Sequence, residues 1–315
     1  MMGTQQTTGI DPALAEVIEG LSAPHKHLPA KLFYDAVGSD LFVGITQQPE
    51  YYLTRSEVDL LQRHAPAIAE RIGPNTALLE LGSGSSIKTR LLLDALIDPA
   101  AFVPVDISRA ALDAVLGPLG IAYPELRIEP VCADFSRPFP LPSLAPSVSW
   151  SVFYPGSTIG NLHPQSAARF LTRLRLMLSS GDGFLIGADL QKDQSVLHAA
   201  YNDAAGVTAA FNKNILTHIN RRFGADFDTD AFAHKALYNA AAGRIEMHLI
   251  SKRPQVVHLG GRAITFNEGE GIHTESSYKY SIAGFKQLLS EAGLELTDMW
   301  TDSNEYFATF WAVIP

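Results

Sequence analysis

A glycine-rich loop with an acidic residue before it is the segment of this sequence best suited to chemistry. It reads Leu79-Glu80-Leu81-Gly82-Ser83-Gly84-Ser85-Ser86 and lies between a short apolar run and a helical pattern. Glycines let the backbone turn sharply and approach a ligand without a clash from a Cβ atom. The start of the following helix offers free N–H groups to a negatively charged group. This loop is therefore the first candidate for a ligand-binding site.

Acidic residues also end the next two predicted strands. Asp106 ends one of them, and Asp134, followed by Phe135, ends the other. A fourth predicted strand ends at Tyr154-Pro155-Gly156. Taken alone, each feature has a simpler explanation, a turn for the glycines and a helix N-cap for either aspartate. Their order carries the argument, because open α/β sheets bind ligands outside the carboxyl ends of parallel strands.

The loop departs from the nicotinamide-binding pattern, which would place a third glycine where Ile87 stands. An acidic residue at a strand end followed by G-x-G instead resembles motif I of the Rossmann-like methyltransferases. That resemblance implies that S-adenosylmethionine (SAM) binds here, with its ribose hydroxyls on Asp106 and its adenine amino group on Asp134. The predicted cofactor residues are Glu80, Gly82, Ser83, Gly84, Lys88, Asp106, Asp134, Phe135 and Gly156.

Strand and helix patterns alternate through the middle of the chain. A helix is predicted at 12–21, and Thr54-Arg-Ser-Glu57 reads as a capping box that opens a helix reaching Ile72. Beyond it, the spacing implies right-handed βαβ crossovers and a mostly parallel sheet. The predicted strands are 77–81, 101–107, 126–133, 149–154 and 183–190, and the predicted helices between them are 88–96, 109–116 and 165–178.

The pattern changes after Asp193. We expect one long helix at 204–222, followed by antiparallel strands, a helix at 282–292 and a closing strand pair. The predicted strands here are 244–251, 255–259, 263–267, 294–300 and 306–313. The fold class is therefore α/β, with a Rossmann-like class I methyltransferase domain and a second, smaller α+β substrate-binding domain. We assign 56–195 plus 282–315 to the first domain, 11–55 plus 196–281 to the second, and 1–10 to a flexible N-terminus.

Composition narrows the class of protein further. The chain has 315 residues and a net charge of −9, so its surface repels phosphate backbones and we expect no nucleic-acid partner. The single cysteine, Cys132, allows no intramolecular disulfide and fits a reducing compartment. The sequence contains neither a signal-peptide pattern nor an apolar stretch long enough to span a membrane. We expect a cytoplasmic protein that binds no membrane.

Several longer strings resemble one family, the histidine Nα-methyltransferases of ergothioneine biosynthesis. The resemblance covers about residues 28–315. It departs from the family at Leu53, where a proline is expected, and around Ser276 and 278–280, without removing a predicted contact. The strings that carry it are 31–42, 49–55, 80–90, 156–162, 201–212, 244–247 and 275–277.

This resemblance implies that the substrate is L-histidine and that three methylations of its α-amino group give hercynine. The implied substrate residues bind the carboxylate with Asn161 and Tyr201, and the imidazole with Glu275, Ser277, Tyr51 and Met247. Tyr34 is placed near the amine, and Tyr34 and Tyr51 are the predicted catalytic residues. Glu275 and Ser277 are two positions apart on a predicted strand, so their side chains are expected on one face.

Other interpretations stay open. The chain could methylate another small amine, or it could be a catalytically silent binding subunit on the same fold. A nucleic-acid methyltransferase is a distant third because of the acidic charge. The tyrosines could be ordinary half-buried residues, Met247 a core residue and Asn161 a helix cap. We expect a monomer and no metal, because His25 and His27 are the only close histidine pair and no further ligand accompanies them.

Overall fold

The chain forms two compact units, each built from separated segments. A computed structural model describes residues 11–82 and 86–315. We call Met1–Tyr51 with Asp193–Ser277 unit 1, and Tyr52–Lys192 with Tyr278–Pro315 unit 2. The predicted cofactor residues Ser83 and Gly84, and the N-terminus at 1–10, lie outside the described residues. The domain boundaries drawn from the sequence stay a prediction.

The strands of the described residues are numbered in chain order. They are β1 (Thr76–Leu81), β2 (Ala101–Asp106), β3 (Val131–Cys132), β4 (Ser149–Tyr154), β5 (Gly183–Asp189), β6 (Phe232–Asn239), β7 (Arg244–Ser251), β8 (Gln255–Leu259), β9 (Arg262–Phe266), β10 (Gly271–Tyr278), β11 (Glu295–Thr301) and β12 (Phe307–Val313).

The α-helices are numbered in the same way. They are α1 (Pro12–Ser22), α2 (Ala36–Thr46), α3 (Leu53–Ile72), α4 (Ile87–Leu93), α5 (Arg109–Ala122), α6 (Pro164–Arg175), α7 (Gln194–Tyr201), α8 (Val207–Phe223) and α9 (Ile282–Glu291). Short 3-10 helices lie at Ala30–Phe33, Thr158–Asn161 and Thr229–Ala231.

A seven-stranded sheet forms the centre of unit 2 within the described residues, in the order β11-β12-β5-β4-β1-β2-β3. Strands β1 to β5 pair in parallel, whereas β12 runs antiparallel to β5 and pairs with β11 as a closing hairpin. Strand β1 lies between β2 and β4, so the strand order reverses there. In doubly wound sheets this reversal opens a crevice for ligands at the carboxyl ends of the strands. The predicted α/β fold with a mostly parallel sheet is confirmed.

Apolar side chains cover both faces of this sheet. All six residues of β1 are buried, as expected for a parallel strand with helices on either side. Leu79 and Val103 pack on one face with Phe170 of α6 and Phe285 of α9. The opposite face carries a second cluster, formed by β-strand residues and the apolar stripes of α3, α4 and α5. The rigid sheet that results holds the loops following β1, β2 and β4.

Unit 1 contains a three-stranded antiparallel sheet in the order β10-β7-β6 and a hairpin of β8 with β9. Helix α8 packs against α2, the 3-10 helix at Ala30–Phe33 and the sheet. The rings of Phe33 and Phe211 stack with their centroids 4.5 Å apart. These contacts give α2 and α8 a shared aromatic core.

Two predicted elements were wrong in extent. The helix expected at 204–222 is observed as α8, which begins only at Val207 because Gly206 adopts a positive φ of 74° and Asp203 accepts hydrogen bonds from the N–H groups of Val207 and Thr208. Helix α7, which precedes it, was not predicted. The strand expected at 126–133 is reduced to β3. Pro130 lies just before β3 and has no N–H to donate to a neighbouring strand.

The predicted capping box at the start of α3 was also wrong. Helix α3 begins at Leu53, and the Tyr52 side chain makes no capping hydrogen bond. Strands β6 and β10 went unpredicted. No helix among residues 11–82 and 86–315 combines the length and apolarity that a membrane crossing requires.

Gly183, the first residue of β5, leaves no room for a side chain. A Cβ atom there would lie 1.9 Å from the Trp311 ring. We expect Gly183→Ala to lower the free energy of unfolding by about 1–3 kcal/mol or more, because the buried indole must move. Gly120→Ala in α5 is the control, since nothing lies within 4 Å of its Cβ position. Alanine there favours the helix by about 1 kcal/mol. Equal midpoints in urea for both variants would contradict the expectation.

Candidate functional site

The carboxyl ends of the first three strands are joined by backbone hydrogen bonds. The Gly82 N–H donates to the Val105 carbonyl at 2.8 Å, and the Ala133 N–H donates to the Asp106 carbonyl at 2.9 Å. Gly82 adopts a φ of 81°, a conformation that favours glycine. Glu80, Asp106 and Asp134, which the sequence placed far apart, therefore lie in order along one edge of the unit 2 sheet.

Asp106 and Asp134 each turn the chain at this edge. The Asp106 carboxylate accepts from the Ser108 N–H at 2.8 Å, and the Asp134 carboxylate accepts from the Ser136 N–H at 2.9 Å. The N-cap of α5 is Ser108 rather than Asp106. Both carboxylates are half-buried, so they are held by the backbone and are still within reach of solvent.

Phe135 packs beside the glycine loop. Its ring contacts Tyr154 and Phe170, with centroids 6.1 and 6.2 Å away. A Cβ atom on Gly82 would lie 4.0 Å from this ring. The structure thus brings the predicted cofactor residues Gly82 and Phe135 together at the ends of β1 and β3.

Glu80 is a buried carboxyl group at the end of β1, and 3% of its surface is exposed. The Thr89 hydroxyl lies 2.9 Å from both of its oxygens. Burial raises the pKa of the Glu80 carboxyl to about 7, an effect that the Thr89 hydrogen bond and the Lys88 charge partly offset. A group that titrates near neutral pH therefore lies beside the glycine loop.

Glu57 is a central residue of this edge that sequence reasoning assigned to the wrong role. Its buried carboxylate accepts from the Gly156 N–H at 2.9 Å and from the Lys88 ammonium at 2.7 Å. A charge-assisted hydrogen bond of this kind is stronger than a neutral one, so the carboxylate faces the sheet edge instead of the start of its helix. Glu57 thus joins two predicted cofactor residues, Lys88 of α4 and Gly156 of the loop after β4.

In unit 1 the predicted tyrosines form a chain of aromatic contacts. The Tyr34 ring contacts Phe42 at 5.9 Å between centroids, Phe42 contacts Tyr51 at 6.4 Å, and Tyr51 contacts Tyr201 at 6.3 Å. Tyr51 and Tyr201 are buried, whereas 44% of Tyr34 is exposed. Residues from α7 and from the segments around α2 are thereby brought to one place.

Tyr201 also reaches the end of β10. Its hydroxyl donates to the Ser277 hydroxyl at 2.8 Å, and both side chains are buried. The carbonyl of Tyr201 lies 3.0 Å from Nε2 of His234, whose other ring nitrogen lies 2.9 Å from the amide of Asn212. Burial lowers the pKa of His234, so the ring favours its neutral form. Asn212 and His234, which are not among the predicted site residues, hold the backbone at Tyr201.

Met247 lies beside this network in the middle of β7 and is 2% exposed. Its carbonyl and the Asn212 side chain both receive hydrogen bonds from the Thr274 hydroxyl, at 3.0 and 2.6 Å. Thr274 directly precedes Glu275 in β10. The sequence signal that could have identified Asn212 is its place at the end of the family-like string 201–212.

Glu275 is half-buried in a part of β10 that is irregular. The alternation of buried and half-buried residues stops after Glu275, and the Ser276 hydroxyl lies 3.1 Å from Nε2 of His273, three residues away. In a regular strand those two side chains would point to opposite faces. The expectation that Glu275 and Ser277 share a face therefore stays a prediction.

Asn161 belongs to unit 2, in the loop that follows β4. It ends the 3-10 helix Thr158–Asn161 and is half-buried. His163, rather than Asn161, is the N-cap of α6, and its ring nitrogen accepts from the Gln165 N–H. The simpler explanation of Asn161 as a helix cap is therefore wrong.

A metal ion is not needed to explain any of these contacts. Within the described part of the chain, no group of three or more His, Cys, Asp or Glu side chains could hold one.

Comparison with known proteins decides the family. Residues 13–314 match the family described as histidine-specific, SAM-dependent methyltransferases. The chain belongs to this family. The predicted resemblance is confirmed.

Three relatives show the breadth of the family. Histidine N-alpha-methyltransferase of Mycolicibacterium smegmatis is 45% identical over 293 residues, which are 91% of this chain and 90% of that protein. Ergothioneine biosynthesis protein 1 of Schizosaccharomyces pombe is 31% identical over 90% of this chain and 38% of its own length. The 4-dimethylallyltryptophan N-methyltransferase of Claviceps fusiformis is 29% identical over 91% of this chain and 88% of its own length.

The raised pKa of Glu80 predicts a pH-dependent stability. The pKa of its carboxyl is about 7 in the folded protein, against 4.5 for an unperturbed glutamate side chain. Between these values the folded protein retains a proton that the unfolded chain releases. The contribution of Glu80 is therefore fully present below about pH 4.5 and is lost as the pH rises through 7. The difference is on the order of 3 kcal/mol.

Glu80→Gln removes this titration and tests the prediction. The unfolding free energy of the native protein, relative to that of the variant, should fall between pH 5 and pH 8 in urea titrations. Glu125→Gln, at an exposed glutamate, is the control. A pH-independent difference between native protein and Glu80→Gln would contradict the role of Glu80.

Proposed function

We propose that this protein transfers three methyl groups in succession from SAM to the α-amino nitrogen of L-histidine, giving hercynine and S-adenosylhomocysteine. This is the first step of ergothioneine biosynthesis. The observation that carries the proposal is the match of nearly the whole chain to the histidine-specific family, together with the 45% identical relative that bears the activity in its name.

The edge of the unit 2 sheet is the proposed cofactor site. The carboxylates of Asp106 and Asp134 are held by backbone N–H groups and suit ribose hydroxyls and an amino group, respectively. Gly82, with its positive φ of 81°, turns the backbone beside the Phe135 ring in a conformation that favours glycine. When bound, SAM supplies an electrophilic methyl group on a positively charged sulfur. The buried carboxylates nearby favour a cationic ligand over an anionic one.

The side chains clustered in unit 1 are the proposed imidazole and amine site. Tyr51, Met247, Glu275 and Ser277 would line the imidazole, and Tyr34 the amine. The carboxylate would bind Tyr201 and Asn161. The hydrogen bond between Tyr201 and Ser277 supports this division, since it holds one residue for each end of the substrate within 2.8 Å. A pocket that hydrogen-bonds both ring nitrogens rejects amino acids that lack them.

The main role of these side chains in the reaction would be to position the substrate. A free α-amino group is mostly protonated near pH 7 and must lose its proton before it can attack. Holding the neutral nitrogen in line for transfer supplies much of the rate, so we assign no general base. The methylated product is a fixed cation, and the faces of Tyr34 and Tyr51 would stabilise it by about 1 kcal/mol through cation–π contact.

Different segments of the chain would bind the cofactor and the substrate. We propose that 56–195 plus 282–315 bind SAM and that 11–55 plus 196–281 bind the substrate. The single cysteine and the acidic net charge support a monomer that acts in the reducing cytoplasm on a free amino acid, without nucleic acid. Size-exclusion chromatography with light scattering tests the monomer.

A mass-spectrometric assay with SAM and the twenty amino acids tests the reaction. We expect gains of one, two and three methyl groups on histidine alone. A single methyl group under excess SAM would contradict the succession of transfers. Methylation of another amine would show that the substrate is that amine and not histidine. No turnover, with no SAM binding by calorimetry, would indicate a silent binding subunit.

Glu275→Ala tests the imidazole site. Loss of a hydrogen bond to a charged group should raise the KM for histidine by about 10- to 100-fold, while SAM affinity stays unchanged. Glu268→Ala, at an exposed glutamate of the same unit, is the control. An unaltered KM for histidine in Glu275→Ala would favour a methyltransferase for another amine.

A further inference from the structure

A buried ion cluster at the end of β5 plays no part in the site described so far. Asp189 accepts hydrogen bonds from the Tyr52 hydroxyl at 2.8 and 2.9 Å, from the Lys192 ammonium at 2.5 Å and from the Lys279 ammonium at 2.7 Å. The Asp189 and Lys279 side chains are fully buried, and 4% of the Lys192 side chain is exposed. All four residues belong to unit 2. We call them the Asp189 cluster.

The charge of the Asp189 cluster is costly to bury. Two lysines share one carboxylate, and burial lowers the pKa of Lys192 to about 8. The Lys192 ammonium also lies over the rings of Tyr52 and Tyr306, 4.5 and 5.3 Å from their centroids. Replacing such a cluster with apolar residues often leaves stability equal or higher, so buried ion groups are weak evidence for stability. The alternative to a stabilising role is that the Asp189 cluster fixes the positions of the chain segments that meet at it.

The positions of the cluster residues in the sequence suggest which arrangement is fixed. The chain passes between the two units after Tyr51, after Lys192 and after Ser277. Tyr52 and Lys192 are the unit 2 residues directly at the first two passages, and Lys279 is the second residue after the third. Asp189 therefore holds, within unit 2, the three points from which the segments of unit 1 depart.

Asp189 holds a fourth segment through its backbone. Its N–H donates to the Ser157 hydroxyl at 2.9 Å. Ser157 is buried, has a positive φ of 55° and precedes the 3-10 helix that ends in Asn161. Gly160 in that helix packs so closely that a Cβ atom would lie 2.8 Å from the Tyr278 carbonyl. The loop of Asn161 is thus fixed by the same aspartate and by the segment that leads to Lys279.

We propose that Asp189 is a positioning residue for histidine binding, acting through Tyr52, Lys192 and Lys279 on the backbone next to Tyr51 and Ser277, and through Ser157 on the loop of Asn161. This inference rests on the proposed function. The side-chain contacts of the cluster lead to the backbone next to Tyr51 and Ser277, so loss of these contacts should affect histidine far more than SAM.

Tyr52→Phe removes one hydroxyl from the cluster and keeps the ring. We expect the KM for histidine to rise about 10-fold, as for a lost hydrogen bond to a charged group. SAM affinity by calorimetry should stay within about twofold of the native value. Tyr123→Phe is a matched control in the same unit, because the Tyr123 hydroxyl also donates to a carboxylate, that of Asp94. The control should keep the native KM for histidine.

Lys192→Met separates positioning from stability. The variant keeps Asp189 paired with Lys279 and removes one buried charge, so its thermal midpoint should equal or exceed that of the native protein. If Asp189 positions the histidine-binding residues through Lys192, the KM for histidine nevertheless rises several-fold. A purely structural cluster would leave that KM unchanged whenever the midpoint is unchanged.

The results are decisive in either direction. Native KM values for histidine in both variants would overturn the proposal, as would parallel losses of histidine affinity, SAM affinity and thermal midpoint. Failure of the proposed function would be visible in the native protein, which would not methylate histidine at all. In that case both proposals fall, whereas unaltered variants of an active enzyme overturn the role of Asp189 alone.

Discussion

Three carboxylates are buried at the carboxyl ends of the unit 2 strands, and much of the local structure follows from their need for donors. Removing a carboxylate from water costs several kcal/mol unless hydrogen bonds and opposite charges replace the lost solvation. Glu80 obtains a threonine hydroxyl, Glu57 a lysine and a backbone N–H, and Asp189 two lysines and a tyrosine. Lys88 and Thr89 come from α4, the Gly156 N–H from the loop after β4, and the donors to Asp189 from three other segments, so satisfying the charges also fixes these segments.

The same constraint links fold and function. Parallel strands end at one edge of a sheet, where their loops meet and where ligands bind. A loop there must be mobile enough to admit a ligand and ordered enough to recognise it. Glu57 orders the loop after β4 through the Gly156 N–H, and Gly187 makes this possible, since a Cβ atom there would lie 2.4 Å from the carboxylate. Binding residues are thereby ordered by residues that bind nothing themselves.

The sequence predicted the parallel core well, and for a physical reason. Strands buried on both faces are short apolar runs bounded by turns, a signal contained within each segment; β4 was predicted with its observed bounds. Where long-range contacts decide, prediction failed. Glu57, for example, leaves its expected cap for Lys88, which is 31 positions away in the sequence. Local signals were missed as well, since Asp203 accepts from the N–H groups at the start of α8 and Pro130 shortens β3.

The residues of the candidate site also differ in how far the sequence predicted them. The proposed cofactor residues follow strands in order, so the pattern suggested a ligand site at the strand ends, and the resemblance to methyltransferases assigned that site to SAM. The proposed histidine residues come from five separate segments of unit 1 and the loop after β4, and only the resemblance to a family indicated them. Neither spacing nor the family resemblance indicated the Asp189 cluster, because lysines are almost never fully buried and nothing in a sequence marks the exceptions. A buried charged residue of this kind is identified only once the structure shows which charged side chains are buried. The donors around it then show which segments it holds.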